Sequence, residues 1–184
     1  GAAGGRGDAG YGASELAAEL AERGWTIRSP DVDDSDTAWK AYAGYEVMDF
    51  VGVEAGYVNL GRVESRFGAT VDPDRVDALL DDTVDVHAYL GDGWTAGGAL
   101  RLPVGERFLV TGRAGLIVWE ADLEAEVVSG ASGRSAADED GIDPYYGIGV
   151  EWRLHRRVGV TLEWERYRLN DWVDVPMLGL RVRF

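Results

Sequence analysis

The chain has 184 residues, enough for one domain, and its 33 Asp plus Glu against 18 Lys plus Arg give a formal net charge of −15. That balance argues against a nucleic-acid partner, and the absence of cysteine excludes disulfide and thiol chemistry. No apolar run approaches the roughly 20 residues of a spanning helix, which excludes a helical membrane protein and leaves open one that crosses on alternating strands.

Residues 1–14 are glycine-rich. Ala9, Tyr11 and Ala13 alternate with Gly10, Gly12 and Ser14, so the segment reads as a short first strand or as a flexible leader. No signal peptide precedes it, which reads as a mature or trimmed form. Residues 15–23 predict a short helix, capped by Ser14 and closed by Gly24, with Leu16 and Leu20 too few to anchor it in lipid. Residues 25–36 read as a loop ending in a run of aspartates.

Residues 37–47 predict a strand with Trp39, Ala41, Ala43, Tyr45 and Val47 on one face and Lys40, Tyr42, Gly44 and Glu46 on the other. A tight connection at 48–50 leads into a return strand over 51–61, and the two form a hairpin. Residues 62–83 are a second acidic connection with a short surface helix around Val76, Leu79 and Leu80. A long strand over 84–102 is bent near Asp92, where glycines flank a charge that is costly in lipid. After a turn at 103–106, residues 107–119 return, with Phe108, Val110, Ala114, Leu116 and Val118 opposite Thr111, Arg113, Gly115 and Trp119. Residues 120–144 read as a third long connection, mobile around S-G-A-S-G-R-S. Strands over 145–154 and 158–169 flank the turn 155–157. Asn170 to Asp174 turn into the last strand, where Leu178, Leu180, Val182 and Phe184 share one face.

Long and short connections thus alternate, and the long ones hold 23 of the 33 acidic residues. Acid collects at one end. One strand face is apolar; the other carries Lys40, Glu46, Glu54, Arg101, Arg113, Glu151, Arg153, Glu163, Glu165, Arg181 and Arg183 with glycines between. Five acids and six bases enclosed in a narrow barrel pair into a network, and eight strands leave an interior just filled by side chains. The reading is all-β: an eight-stranded antiparallel up-and-down transmembrane β-barrel with short periplasmic turns and long acidic outer loops at 15–36, 62–83, 120–144 and 170–174. Seven strands are clear, so closure assigns the eighth to residues 8–14. The whole chain, 1–184, is one domain. Trp39, Tyr57, Trp94, Tyr146, Trp152 and Trp164 form an aromatic girdle. The competing fold is a soluble lipocalin-like barrel with its apolar face inward, which detergent-free solubility would reveal.

The stretches 33–45, V-E-A-G-Y-V-N-L-G at 53–61, L-P-V-G at 102–105, G-R-A-G at 112–115 with W-E-A-D at 119–122, and Y-Y-G-I-G-V-E-W-R-L at 145–154 resemble the OmpA-like transmembrane domain family. The resemblance covers roughly 31–184. It implies an integral protein of the Gram-negative outer membrane, inserted by the barrel-assembly machinery, with L-G-L-R-V-R-F ending on Phe184 as the insertion signal. It also implies interior Glu–Arg pairing, which Glu54, Arg113, Glu151 and Arg181 match by facing. Some members carry a peptidoglycan-binding domain after the barrel; this chain stops at Phe184, so such a tether is expected to be absent or removed. The first strand departs from the family's aromatic-glycine pattern.

The functional expectation is a monomeric structural barrel that supports envelope integrity, with outer-membrane lipid and lipopolysaccharide as its partners. The alternatives are a low-conductance ion channel past Glu54, Arg113 and Glu151, and adhesion or ligand binding by the outer loops. No catalytic residue and no cofactor are expected. The only histidines, His87 and His155, have no serine placed to join them, although Asp85 shares the face of His87. The acidic clusters at Asp31, Asp33, Asp34 and Asp36 and at Asp138, Glu139 and Asp140 lack calcium-loop spacing, so no metal site is expected. Loop acidity reads as salt adaptation or as cation binding at the lipopolysaccharide surface.

Overall fold

The computed structural model describes residues 1–10, 13–33, 35–61, 64–69, 78–79, 82, 90–129, 131–169 and 171–184, with backbone alone at 13, 15–16, 27–33, 64–69, 122–129 and 131–139. In chain order the elements are β1 (Ala2–Asp8), α1 (Ala13–Glu22), β2 (Ile27–Asp33), β3 (Ser35–Met48), β4 (Val51–Asn59), β5 (Glu64–Ala69), β6 (Asp92–Val104), β7 (Phe108–Ser129), β8 (Ala131–Arg153), β9 (Val158–Leu169) and β10 (Asp171–Val182). Eight of the strands close a barrel in the order β7-β6-β4-β3-β1-β10-β9-β8, with β7 pairing back to β8. Every pairing around this ring is antiparallel.

The seam between first and last strand corrects the sequence reading. The first strand is Ala2–Asp8, not 8–14; Ala2 pairs with both Leu180 and Ala41, and Gly5 with both Met177 and Ala38. A run of Ala and Gly carries almost no hydrophobic period, so only its two neighbours reveal it. The turn to the last strand is tighter than expected: Asp171 already pairs with Leu169, and 171–174 belong to β10.

The expected long strand over 84–102 begins at Asp92 and runs on through Pro103 and Val104; its first half, with His87, lies outside the described residues. The connection 120–144 is not a loop. The β7–β8 ladder continues unbroken to Ser129 opposite Ala131. Ala121, Leu123, Ala125 and Val127 still alternate with Glu120, Asp122, Glu124 and Glu126, so the period-2 signal was present and acidity hid it. Beyond the barrel, β5 joins β7 in parallel from Glu64–Glu124 to Phe67–Val127, and β2 joins β5 antiparallel. The segments expected as loops at 25–36 and 62–83 therefore supply two further strands of one sheet. The second also places Leu79, helical and fully buried, where a surface helix was expected; Val76 and Leu80 lie outside the described residues.

The helix α1 sits where the sequence puts it, two residues earlier at its start, with Ser14 inside it rather than capping it. Its end is a Schellman turn: Gly24 has φ 88, its N–H donates to Ala21 O at 3.0 Å, and the Trp25 N–H donates to Leu20 O at 2.9 Å. Leu20 and Trp25 are thereby buried with Leu60, Leu79 and Leu90. Asp82 holds the arrangement, accepting from the Trp25 indole N–H at 2.6 Å and from Arg23 Nη1 at 2.9 Å.

Those two bonds, the indole first, keep the Asp82 carboxyl below its ordinary range. A lowered carboxylate stabilises the fold above the unfolded-chain pKa, and that contribution fades as pH falls through the folded value. Because Asp82 is partly exposed, the expected size is at most about 1 kcal/mol. Acid titration should move Trp25 emission to the red in the difference spectrum against Trp25→Phe, with the barrel still folded, and Asp82→Asn should remove most of that transition. An unchanged transition in Asp82→Asn would mean that Asp82 does not hold Trp25 in place.

Candidate functional site

The barrel interior is the candidate site, because inward positions gather the charges that the strands carry. Lys40, Glu54, Arg101, Arg113, Glu151, Glu163, Glu165 and Arg181 are all buried, four acids with four bases. Their outward neighbours expose Val53, Leu100, Leu116, Val150, Leu162 and Leu180. In water that pattern would be inverted; in lipid it is what a closed barrel requires. Long charged side chains lie across glycines on the adjacent strand. A Cβ at Gly44 would meet Glu54 Cγ at 2.9 Å, and one at Gly149 would meet Glu163 Cγ at 3.1 Å.

Glu54 is the hub. It accepts from Arg101 Nη2, from Arg113 Nε at 2.7 Å and from Arg181 Nη2 at 3.2 Å. Arg113 also reaches Glu163 at 3.1 Å and Glu165 at 3.3 Å, and Lys40 binds both of these glutamates. Below the hub, Arg181 Nη1 donates to Glu151 at 3.3 Å, and Arg183 Nη2 donates to both Glu151 oxygens at 2.5 and 2.6 Å. Tyr42 is the member that a search for charges misses: Lys40, Arg113 and Arg181 stand 5.0, 5.3 and 5.4 Å from its ring centroid, and its hydroxyl accepts from Arg181 Nε at 3.2 Å. Its place between Lys40 and Gly44 on the same strand face was the available signal, and the structure sets it opposite Gly56.

Three of the expected interior residues sit at the margin. Glu46 is mostly exposed and meets Arg101 at 3.4 Å, and Arg183 is half-buried. Arg153 is half-buried too, with its Nε enclosed and without a hydrogen-bond partner. The interior is also not polar throughout, as the sequence reading had it. Toward the long-connection end the inward positions become Ala3, Ala38, Val58, Ile117, Val173, Val175 and Met177, all buried. There Tyr145 stacks on Tyr167 with centroids 5.3 Å apart, and the Trp119 indole N–H donates to Asp143 at 3.0 Å. An ionic layer is thus overlaid by an apolar one.

On the outside, Trp39, Trp94, Tyr146, Trp152 and Trp164 are exposed and Tyr57 is half-buried. They fall into groups. Trp39, Tyr57 and Trp94 touch in sequence at 5.8 and 5.2 Å. Tyr146 contacts Trp164 at 6.0 Å and Trp172 at 5.7 Å, so Trp172, expected in a loop, belongs to this group. Trp152 lies opposite Phe108 near the short-turn end. Phe184 is fully exposed just past β10. Among the described residues no cluster of His, Asp or Glu has a metal-binding arrangement.

The model of the OmpA-like transmembrane domain matches residues 7–172. The chain belongs to this family. It is an integral β-barrel of the outer membrane. It is 29% identical over 141 residues to outer membrane protein A of Klebsiella pneumoniae, covering 77% of this chain and 36% of that protein. The same protein of Shigella dysenteriae is 29% identical over 142 residues. The chain spans about a third of the length of these relatives. The fold resembles the N-terminal barrel of Pseudomonas aeruginosa OprF, with a TM-score of 0.51 at 12% identity, and Neisserial surface protein A, with 0.53 at 11%; each match covers 100% of this chain and 96% of the other. At that identity the likeness extends to the fold.

Proposed function

We propose that this member of the family is a structural barrel that supports envelope integrity, performs no catalysis, and stands with its short turns in the periplasm and its long connections outside. The observation that carries the proposal is the filled interior: a charge-balanced ionic layer under an apolar layer, with Leu20, Trp25 and Leu79 packed above it. Paired charges stacked under packed hydrocarbon support a scaffold more than a path for ions. The second reading, a low-conductance channel, draws on a cavity of about 380 Å³ near the short turns, lined by Glu54, Arg101, Arg181 and Arg183 among others. A third, adhesion or ligand binding by the outer connections, draws on the sheet that β2 and β5 add to β7 and β8.

Conductance of the refolded protein in a planar bilayer, beside an Arg113→Ala variant, separates the first two. Both membranes should stay silent. Discrete openings that the variant alters would make the ionic layer an ion path. Cells lacking the protein should in addition become more permeable to detergent, and a normal barrier would count against the scaffold reading.

A further inference from the structure

The two aromatic groups on the outer wall lie on opposite sides of the barrel, one centred on β4 and the other on β9. Their charges differ. Tyr57 donates its hydroxyl proton to Asp92, and Asp92 faces Glu120 across the β6–β7 ladder. Across the barrel, Arg166 is paired with Asp174 on one side and Tyr146 on the other. Its Nε and Nη2 donate to the two Asp174 oxygens at 2.8 and 2.5 Å. Its guanidinium stands 5.7 and 5.8 Å from the ring centroids of Trp164 and Trp172.

One step nearer the long-connection end, Arg168 pairs with Trp172 in the ladder and is exposed. Among the described residues it has no hydrogen-bond or ion-pair partner. Among the described side chains, the outward positions of the barrel strands carry three basic groups, Arg6, Arg166 and Arg168, and all three lie on β1 and β9 with β10 between them.

We propose that the β8–β9–β10 wall binds the phosphorylated headgroup of an outer-leaflet glycolipid. Arg168 supplies the free cation, and a guanidinium is the side chain whose planar fork suits phosphate oxygens. Arg166 is held in place by Asp174, which also removes that carboxylate as a source of repulsion. The half-exposed Trp164 and Trp172 offer amphipathic rings at headgroup level, where sugar faces can rest on them. The opposite wall carries Asp92 beside Tyr57, which would repel the same group, whereas Glu120 and Asp140 face each other across β7 and β8, well beyond Arg168 toward the long-connection end. Placement in the outer leaflet rests on the orientation proposed above; the recognition itself does not.

The test uses the folded barrel in detergent with a chelator, so that divalent cations cannot bridge lipid to carboxylate. Native mass spectrometry measures binding of diphosphorylated lipid A and of the same lipid stripped of its phosphates. The wild type should bind the phosphorylated form at least about tenfold more tightly, and Arg168→Glu should lose about that factor. Arg168→Gln should lose less in the same direction, and Asp92→Asn should bind as wild type. Unchanged binding in Arg168→Glu, equal binding of the stripped lipid, or an equal loss in Asp92→Asn would overturn the site. Labelling of Asp171→Cys on intact cells by an impermeant maleimide tests the leaflet separately: labelling supports it, and protection would overturn the orientation while leaving the site standing.

Discussion

Glu54→Ala is expected to cost the barrel about 3–5 kcal/mol, because it takes a shared partner from three guanidinium groups and strands one of them in an enclosed interior. Arg101, Arg113 and Arg181 all converge on this carboxylate. Arg113 keeps Glu163 and Glu165, and Arg181 keeps Glu151. Arg101 is left with Glu46 alone, at 3.4 Å and largely in solvent. Desolvated charge without a partner is what makes the loss large; the intact pair itself adds far less. Urea titration of vesicle-inserted protein, read from the mobility shift between folded and unfolded bands, gives the number. Glu46→Ala is the control, and for an exposed partner it should cost less than about 1 kcal/mol. Equal losses in the two variants would mean that the ionic layer is hydrated and that burial does not set its energy.

Gly5→Val should be as damaging through a different cause. Gly5 sits in β1 between Ala38 of β3 and Met177 of β10, at the seam that closes the barrel. A Cβ there would collide with the Pro176 carbonyl oxygen and come within 2.9 Å of Met177 Cα. Both are backbone atoms of the neighbouring strand, so no side chain can swing aside. The strands must separate or β1 must shift, and overpacking of this kind costs about 3 kcal/mol or more. Refolding yield should fall sharply, with strand content by circular dichroism reduced. A β-branched residue is otherwise favourable in a strand, so propensity alone predicts the opposite sign. A variant that folds at wild-type yield would show that the first and last strands do not meet as described. Gly4→Val, on the outward side of the same strand, should be tolerated, since an added Cβ meets only the Ala38 carbonyl, at 3.8 Å.

Most of the barrel was legible because lipid and a closed interior impose opposite demands on alternate residues. Seven strands showed that alternation, and the inward-facing set Lys40, Glu54, Arg113, Glu151, Glu163, Glu165 and Arg181 follows from parity alone. The same rule failed where composition overrode it. Ala2–Asp8 holds only Ala and Gly on its inward face and Ala, Gly, Arg6 and Asp8 on its outward one, and a strand without a hydrophobic face has no period to read. Residues 120–129 keep their period, yet their carboxylates suggested a loop. They extend as a strand because β8 and β5 pair with their backbone.

What the sequence by itself determined is the membrane-spanning barrel of eight strands and most of its inward-facing residues, since seven strands follow from a period of two and the eighth from the closure needed to satisfy every backbone group in lipid. Which inward residues meet was decided by the tertiary structure. Glu54 and Arg181 are 127 residues apart and come together because the strand register and barrel closure bring β4 and β10 across from one another. The same closure puts an apolar layer of Ile117, Val175 and Met177 over the ions, and it gathers Arg166 and Arg168 with Trp164 and Trp172 on one outer wall. Distances across a barrel depend on stagger and curvature, and neither is written in the alternation along any single strand.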